Sequence, residues 1–131
     1  MDLIRSWATA VVVYLIAGVV TAATAVNTGA IAQEVSGNGA LLWNAVPAAA
    51  TFLLMTVLGR LLHPAPDRHR PVRHAVAALA VPVLLMVGGL VSGIVQGDAA
   101  EAAVSLAGAL PGTAAGWGLG ALARLRGTSA A

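Results

Sequence analysis

Three histidines are the residues of this sequence best suited to bind a metal ion. His63, His69 and His74 lie in one polar, proline-containing stretch. Imidazole is a common zinc ligand, but spacings of six and five residues do not bring the three rings onto one helix face. No thiol or carboxylate completes a recognisable metal motif, because the sequence contains no cysteine. We expect a solvated basic loop without a bound metal, haem or other cofactor.

Acidic side chains are the second group that could carry chemistry, as proton sites or as catalytic acids. None lies in the middle of an apolar stretch, and Glu34, Asp98 and Glu101 fall between such stretches. Because small proton-coupled exporters depend on a buried carboxylate, this distribution argues against that mechanism. Asp98 is expected to cap a helix, with Glu101 at the third helical position, as in a capping box. The sequence also has no nucleophile elbow, zinc motif or phosphate-binding loop, so we predict that the protein is not an enzyme.

Neutral polar side chains within the apolar stretches are few, and most of them are hydroxyls. Such hydroxyls usually bond to their own helix or to a neighbouring one. Tyr14 and Asn44 are the first two to check for a lined cavity, although neither indicates a substrate. The polar residues expected inside the bilayer are Tyr14, Thr21, Thr24, Asn44, Thr51, Thr56, Ser92, Ser105 and Thr113.

The composition is that of a membrane protein. Of 131 residues, 59% are hydrophobic and 9% are charged, whereas soluble domains are about 25% charged. A helix of about 20 apolar residues crosses the hydrocarbon layer and satisfies its own backbone there. We therefore predict an all-α integral membrane protein, a bundle of four transmembrane helices forming one domain over residues 1–131. The predicted spans are Trp7–Val26, Ala40–Leu62, His74–Gln96 and Ala99–Ala123.

Every basic residue other than histidine is an arginine, and the arginines avoid two of the connections between spans. Basic residues are retained on the cytoplasmic side of a membrane. We expect a cell-membrane protein with both termini in the cytoplasm, and with the loop Asn27–Gly39 and the turn around Asp98 outside. The net charge of +2 does not indicate nucleic-acid binding. The arginines that set this orientation are Arg5, Arg60, Arg68, Arg70, Arg73, Arg124 and Arg126.

A different interpretation of the first span stays open. The segment Met1–Arg5 resembles the n-region of a signal peptide, Val11–Val20 its apolar region, and Ala23–Ala25 a cleavage box. Cleavage would leave three spans and an external N-terminus. Asp2 offsets Arg5 in that n-region, and four spans balance the charges equally well, so we expect the first span to be retained.

Glycines recur at every fourth position in the third and fourth predicted spans. Steps of four keep residues on one slowly rotating helix face, and a face without side chains lets two backbones approach closely. The stripes predict helix packing, either between spans three and four of one chain or between subunits. Their members are Gly89, Gly93 and Gly97, then Gly108, Gly112, Gly116 and Gly120. Pro82 and Pro111 interrupt the same spans and are expected to kink their helices.

These features fit two classes of function. The glycine faces and the scarcity of polar chemistry favour a structural or interaction protein, which packs with itself as a homo-oligomer or as an accessory subunit of a larger membrane complex. The alternative is a small oligomeric transporter or channel, in which Tyr14, Pro111 and the hydroxyls line a path, although no ion-selective ring is visible. A lytic pore former is a third interpretation. In each case the lipid bilayer is the constant partner.

Overall fold

The protein is helical throughout nearly all of the part that its computed structural model describes, residues 2–29, 39, 41–62 and 71–129. Helix α1 runs over Asp2–Thr28, α2 over Val46–Leu62, α3 over Pro71–Gln96 and α4 over Ala99–Ser129. A π-helical segment, Leu41–Ala45, leads into α2. Because no strand occurs in these residues, the predicted all-α class is confirmed.

Three of the helices contain a segment that is long and apolar enough to cross a membrane. These segments are Ile4–Thr28, Leu42–Leu62 and Ala78–Gln96, and they support a membrane protein with several spans. The fourth predicted span, Ala99–Ala123, lies inside α4, but α4 is not among the segments that qualify within the described residues. Glycine, serine, threonine and proline dilute its apolar content.

Each helix differs at one or both ends from its predicted span: α1 begins at Asp2 and ends at Thr28, and α2 begins at Val46, after the π-helical segment. Helix α3 begins at Pro71, three residues before the predicted start, because a proline fits the first helical position, where its missing N–H is not needed. Helix α4 continues past Arg126 to Ser129. Both α3 and α4 run on through their internal prolines, Pro82 and Pro111, and the kinks expected at these residues stay a prediction.

A two-residue turn joins α3 to α4. The N–H of Asp98 donates to the carbonyl of Gly93 at 2.8 Å, and the N–H of Gly97 donates to that of Ile94 at 3.3 Å, the pair of bonds that defines a Schellman motif. Gly97 has φ +85°, a left-handed conformation in which a side chain would be strained. Asp98 is the N-cap of α4, because its carbonyl accepts the first helical bond, from Ala102 at 3.0 Å. The turn therefore holds α3 and α4 side by side and antiparallel.

Helix α2 is the centre of the bundle and packs against the other three helices, with its largest contact to α4. The interior is narrow. It contains small and polar side chains, such as Ser6 and Thr56, and a few larger ones, such as Met55; each of these three is 0% exposed. Large apolar side chains instead cover the outside, including Leu84 at 70% and Val95 at 79% exposure. Soluble proteins rarely show so much contiguous apolar surface, whereas bundles in lipid combine small residues inside with apolar residues outside.

Candidate binding cavity

One end of the bundle contains an open cavity of about 590 Å³. All four helices contribute to its wall, each through the half that lies toward Asp98 and Glu101, and we call this the acidic end. The volume lies within the range of about 300–1,000 Å³ that is typical of small-molecule sites. The lining residues are Tyr14, Gly18, Thr21, Ala22, Ala25, Trp43, Asn44, Pro47, Ala48, Thr51, Phe52, Leu85, Met86, Gly89, Leu90, Gly93, Asp98, Glu101, Ala102, Ser105, Leu106 and Ala109.

Tyr14 and Asn44, the two polar residues singled out from the sequence, both line this cavity. Asn44 and its neighbour Trp43 belong to the π-helical segment before α2, a widened type of turn that is frequent at functional sites. The indole Nε1 of Trp43 is buried and has no hydrogen-bond partner among the described residues. The position of Trp43 in the wall could not be predicted from the sequence, in which Trp43 lies near the start of the predicted span Ala40–Leu62.

Much of the cavity wall is unable to donate hydrogen bonds. The Thr51 hydroxyl donates to the Pro47 carbonyl of its own helix at 2.7 Å, so its single proton is already engaged. Phe52, Leu85 and Met86 add apolar surface. The wall therefore offers an apolar body with few polar groups, which is the usual composition of a ligand pocket.

Asp98 and Glu101 are the charged residues in the lining, and no arginine or histidine is among the described residues that form it. Both residues are exposed; Asp98 is the N-cap of α4, and Glu101 lies in its first turn. Among the described residues, no three histidine, cysteine or acidic side chains come together as a metal site would require. The geometry thus supports binding of a small molecule, with one region of negative charge.

At the opposite end of the bundle, described side chains from all four helices pack together. This end contains Arg5, Arg60 and Arg126, and we call it the arginine end. The Ser6 hydroxyl of α1 donates to the carbonyl of Gly59 in α2 at 3.1 Å. The His74 ring of α3 lies 6.0 Å from the ring of Trp117 in α4.

Arg60 is the main polar link between α2 and α4 at this end. Its Nη1 donates to the Trp117 carbonyl at 2.7 Å, and its guanidinium carbon lies 4.1 Å from the centre of the Trp117 ring, the geometry of a cation–π contact. Arg60 is one of the seven arginines predicted to set the orientation, and its contact with Trp117 is not among the features predicted from the sequence. The sequence feature that could have indicated this contact is the set of glycines around Trp117, namely Gly116, Gly118 and Gly120. Small neighbours leave room for a long side chain to lie across the tryptophan ring.

The glycine stripe of α4 lies against α2 rather than against α3. A Cβ at Gly108 or Gly112 would overlap the backbone of Ala45 or Ala49. At Gly116 it would come within 2.6 Å of the Leu53 carbonyl oxygen, and at Gly120 within 2.8 Å of the Arg60 Cδ. The backbone of α4 is therefore in contact with that of α2 and its π-helical start from Gly108 to Gly116, about two turns.

The other glycine series, Gly89 and Gly93 of α3 with Gly97 in the turn that follows, does not form a comparable contact. A Cβ at Gly93 would overlap the Ala102 side chain, whereas one at Gly89 or Gly97 would have nothing within 4 Å. Gly89 instead borders the cavity. Only one of these three positions therefore brings α3 close to α4.

The remaining predicted orientation residues are spread along the chain as follows. Arg5 and Arg126 are exposed, and Arg73 and Arg124 lie within α3 and α4. Arg68 and Arg70, together with His63 and His69, lie outside the described residues.

No protein-family model, no curated protein and no solved structure matches this chain.

Proposed function

We propose that the protein is a small membrane transporter that binds a small molecule in the cavity at the acidic end. The observation that carries this proposal is the asymmetry of the bundle, which has an open cavity of about 590 Å³ at one end and packed side chains from all four helices at the other. Transporters with a central site alternate between states in which one end is open and the other is shut. An open acidic end with a packed arginine end has the form of one such state.

The packing of α4 reduces the case for a purely structural role. Glycine faces were the main feature that favoured self-association, and the four glycines of α4 are occupied by contact with α2 of the same chain. They are therefore not available as an interface between subunits. The cavity, by contrast, is a feature that a structural subunit does not need.

The proposed transporter spans the cell membrane four times, with both termini in the cytoplasm. Helix α4 has 31 residues, more than the roughly 20 needed to cross the hydrocarbon layer. The arginine-bearing ends of the helices lie together, away from Asp98 and Glu101, and are joined by the hydrogen bonds from Ser6 to Gly59 and from Arg60 to Trp117. Retention of basic residues in the cytoplasm then orients the cavity toward the outside.

Cysteine labelling tests this orientation, because the natural chain has no cysteine. Ser36→Cys should react with an impermeant maleimide in intact cells, and Thr128→Cys should react only after the membrane is opened. Reaction of both from one side would contradict the four-span arrangement. Replacing Arg68, Arg70 and Arg73 together by glutamine should produce some inverted chains, detected with the same two labels.

Filling the cavity tests the proposed binding function. Ala48→Trp places an indole in the wall, whereas Ala50→Trp adds the same group to an exposed position of the same helix. The purified proteins are heated in mild detergent with a panel of cationic, neutral and anionic amphiphiles. At least one compound should raise the melting temperature of the natural protein and of Ala50→Trp, but not that of Ala48→Trp. Binding by none, or equal binding by both variants, would refute the cavity as a functional site.

A second candidate function is that of an accessory subunit in a larger membrane complex. It is favoured by α1, in which only 11% of the apolar window is buried within the bundle, so that a broad apolar face is left for lipid or for a partner helix. Gentle detergent extraction followed by mass spectrometry tests it. A stoichiometric companion protein would support the accessory role, and a single species at the mass of the chain or of its homo-oligomer would exclude it.

A further inference from the structure

We infer that the cavity selects an amphiphilic organic cation, a molecule with an apolar body and one positively charged group. This inference rests on the proposed binding function and specifies its ligand. It follows from three properties of the wall, namely its apolar surface, the sign of its charge and the placement of its aromatic rings.

The apolar part of the wall suits a hydrophobic body. Phe52, Leu85, Met86, Leu90 and Leu106 all contribute to it. The unbranched methionine side chain adapts to ligands of different shape. A cavity of about 590 Å³ is large enough for a drug-sized molecule, whereas an inorganic ion would leave most of this surface uncovered.

The sign of the charge favours a cation over an anion. Asp98 and Glu101 lie in the lining without a basic residue among its described members. The Arg60–Trp117 contact is sixteen residues along α4 from Glu101, or roughly 24 Å at 1.5 Å per residue. Because the interaction between charges falls with distance, at 24 Å it is about six times weaker than at 4 Å, so Asp98 and Glu101 dominate the potential at the cavity.

Aromatic and amide groups elsewhere in the cavity wall also favour a cation. Tyr14 and Trp43 both line the cavity, and the faces of tyrosine and tryptophan rings attract organic cations. The Asn44 carbonyl can accept a hydrogen bond from an ammonium group. A ligand with its charge near Asp98 and Glu101 can therefore place its apolar body among the side chains of α2 and α3.

The carboxylates also have a structural explanation, since acids at a helix N-terminus stabilise the helix dipole. Asp98 acts as N-cap through its main-chain carbonyl, a bond that does not depend on the carboxylate. Removing the charge at either position should therefore leave α4 folded. The structural role and the binding role then differ in what they predict for ligand affinity.

The experiment compares phenyl-bearing probes of different charge on the full chain in mild detergent, and the cation and the anion have nearly the same shape. Tetraphenylphosphonium is the cation, tetraphenylborate the anion and triphenylphosphine oxide the neutral compound, with binding measured by calorimetry. Tetraphenylphosphonium should bind at least about ten times more tightly than the other two, as expected for one close favourable charge interaction. Tighter or equal binding of the neutral compound or of the anion would overturn the inference.

Variants then locate the charge that is responsible. Glu101→Gln and Asp98→Asn should each weaken tetraphenylphosphonium binding several-fold, while the affinity for triphenylphosphine oxide stays unchanged and shows that the cavity is intact. Asp2→Asn removes one negative charge at the start of α1, at the arginine end, and should have no effect. An equal loss in Asp2→Asn, or no loss in the two cavity variants, would refute the inference.

The outcome also separates this inference from the proposed function. Equal binding of all three probes, abolished by Ala48→Trp, would overturn cation selection and leave the binding cavity in place. Absence of binding by every probe and by the wider amphiphile panel would overturn both.

Discussion

The contact between α4 and α2 predicts that one glycine of α4 cannot be exchanged even for alanine. At Gly112 an added Cβ would lie 2.8 Å from the Ala49 Cα, whereas carbon atoms pack at about 3.5–4.0 Å. The obstacle is backbone, which cannot rotate away, so Gly112→Ala must push the helices apart by about 1 Å. Overpacking of this kind costs about 1–3 kcal/mol.

Gly118→Ala is the matched control. Gly118 lies in the same helix, and a Cβ there would have nothing within 4 Å. Both substitutions gain the same helix propensity, about 1 kcal/mol for alanine over glycine, so their difference isolates the contact with α2. Without the contact, each variant should be slightly more stable than the natural protein.

The assay is reversible unfolding, in which sodium dodecyl sulfate is titrated into protein in mild detergent and helicity is followed by circular dichroism. Gly112→Ala should have a free energy of unfolding about 1–3 kcal/mol below that of Gly118→Ala. Equal stability of the two variants would show that α4 does not lie on α2 as described. Chromatographic size reports separately on whether either change alters the oligomer.

Two further predictions concern the arginine end and use the same unfolding assay. Ser6→Ala removes the hydrogen bond to α2 and should lower the free energy of unfolding by about 0.6 kcal/mol, the average for such bonds in membranes. Thr24→Ala is the control and should lower it by less, because the Thr24 hydroxyl bonds only within α1. The reverse order would refute the importance of the Ser6 bond. Arg60→Lys keeps the charge but loses the planar group over Trp117, so the free energy of unfolding should fall by about 0.5–2 kcal/mol. Arg126→Lys, at an exposed site, is the control and should cause no measurable change.

The helical class and the α3–α4 turn could be predicted from the sequence because their causes are local. A segment can span the membrane when its run of apolar residues is long enough. Gly97 is a residue type that ends helices, and Asp98, directly after it, is a type that begins them as an N-cap. Tyr14 and Asn44 could be chosen as cavity candidates because polar side chains are rare in such helices and are costly to leave facing lipid.

The partner of the glycine stripe could not be predicted from the sequence. A spacing of four identifies a face of one helix, but it contains no information about which helix covers that face. The contact with α2 depends on Ala45 and Ala49, small residues whose role becomes visible only when α4 is placed beside them. The Arg60–Trp117 contact joins residues 57 positions apart, and no local pattern encodes that separation.

The close contact of α2 with α4 has a consequence for how the cavity can change shape. Where two backbones touch without intervening side chains, no rotamer can rearrange to let them slide, so we expect α2 and α4 to move as one rigid body. Helix α1 meets the bundle through small buried side chains, Ser6, Ala10 and Ala25, which allow a helix to tilt. Any movement that closes the acidic end should therefore be a swing of α1 about a pivot near Ser6, with the α2–α4 pair as its fixed frame.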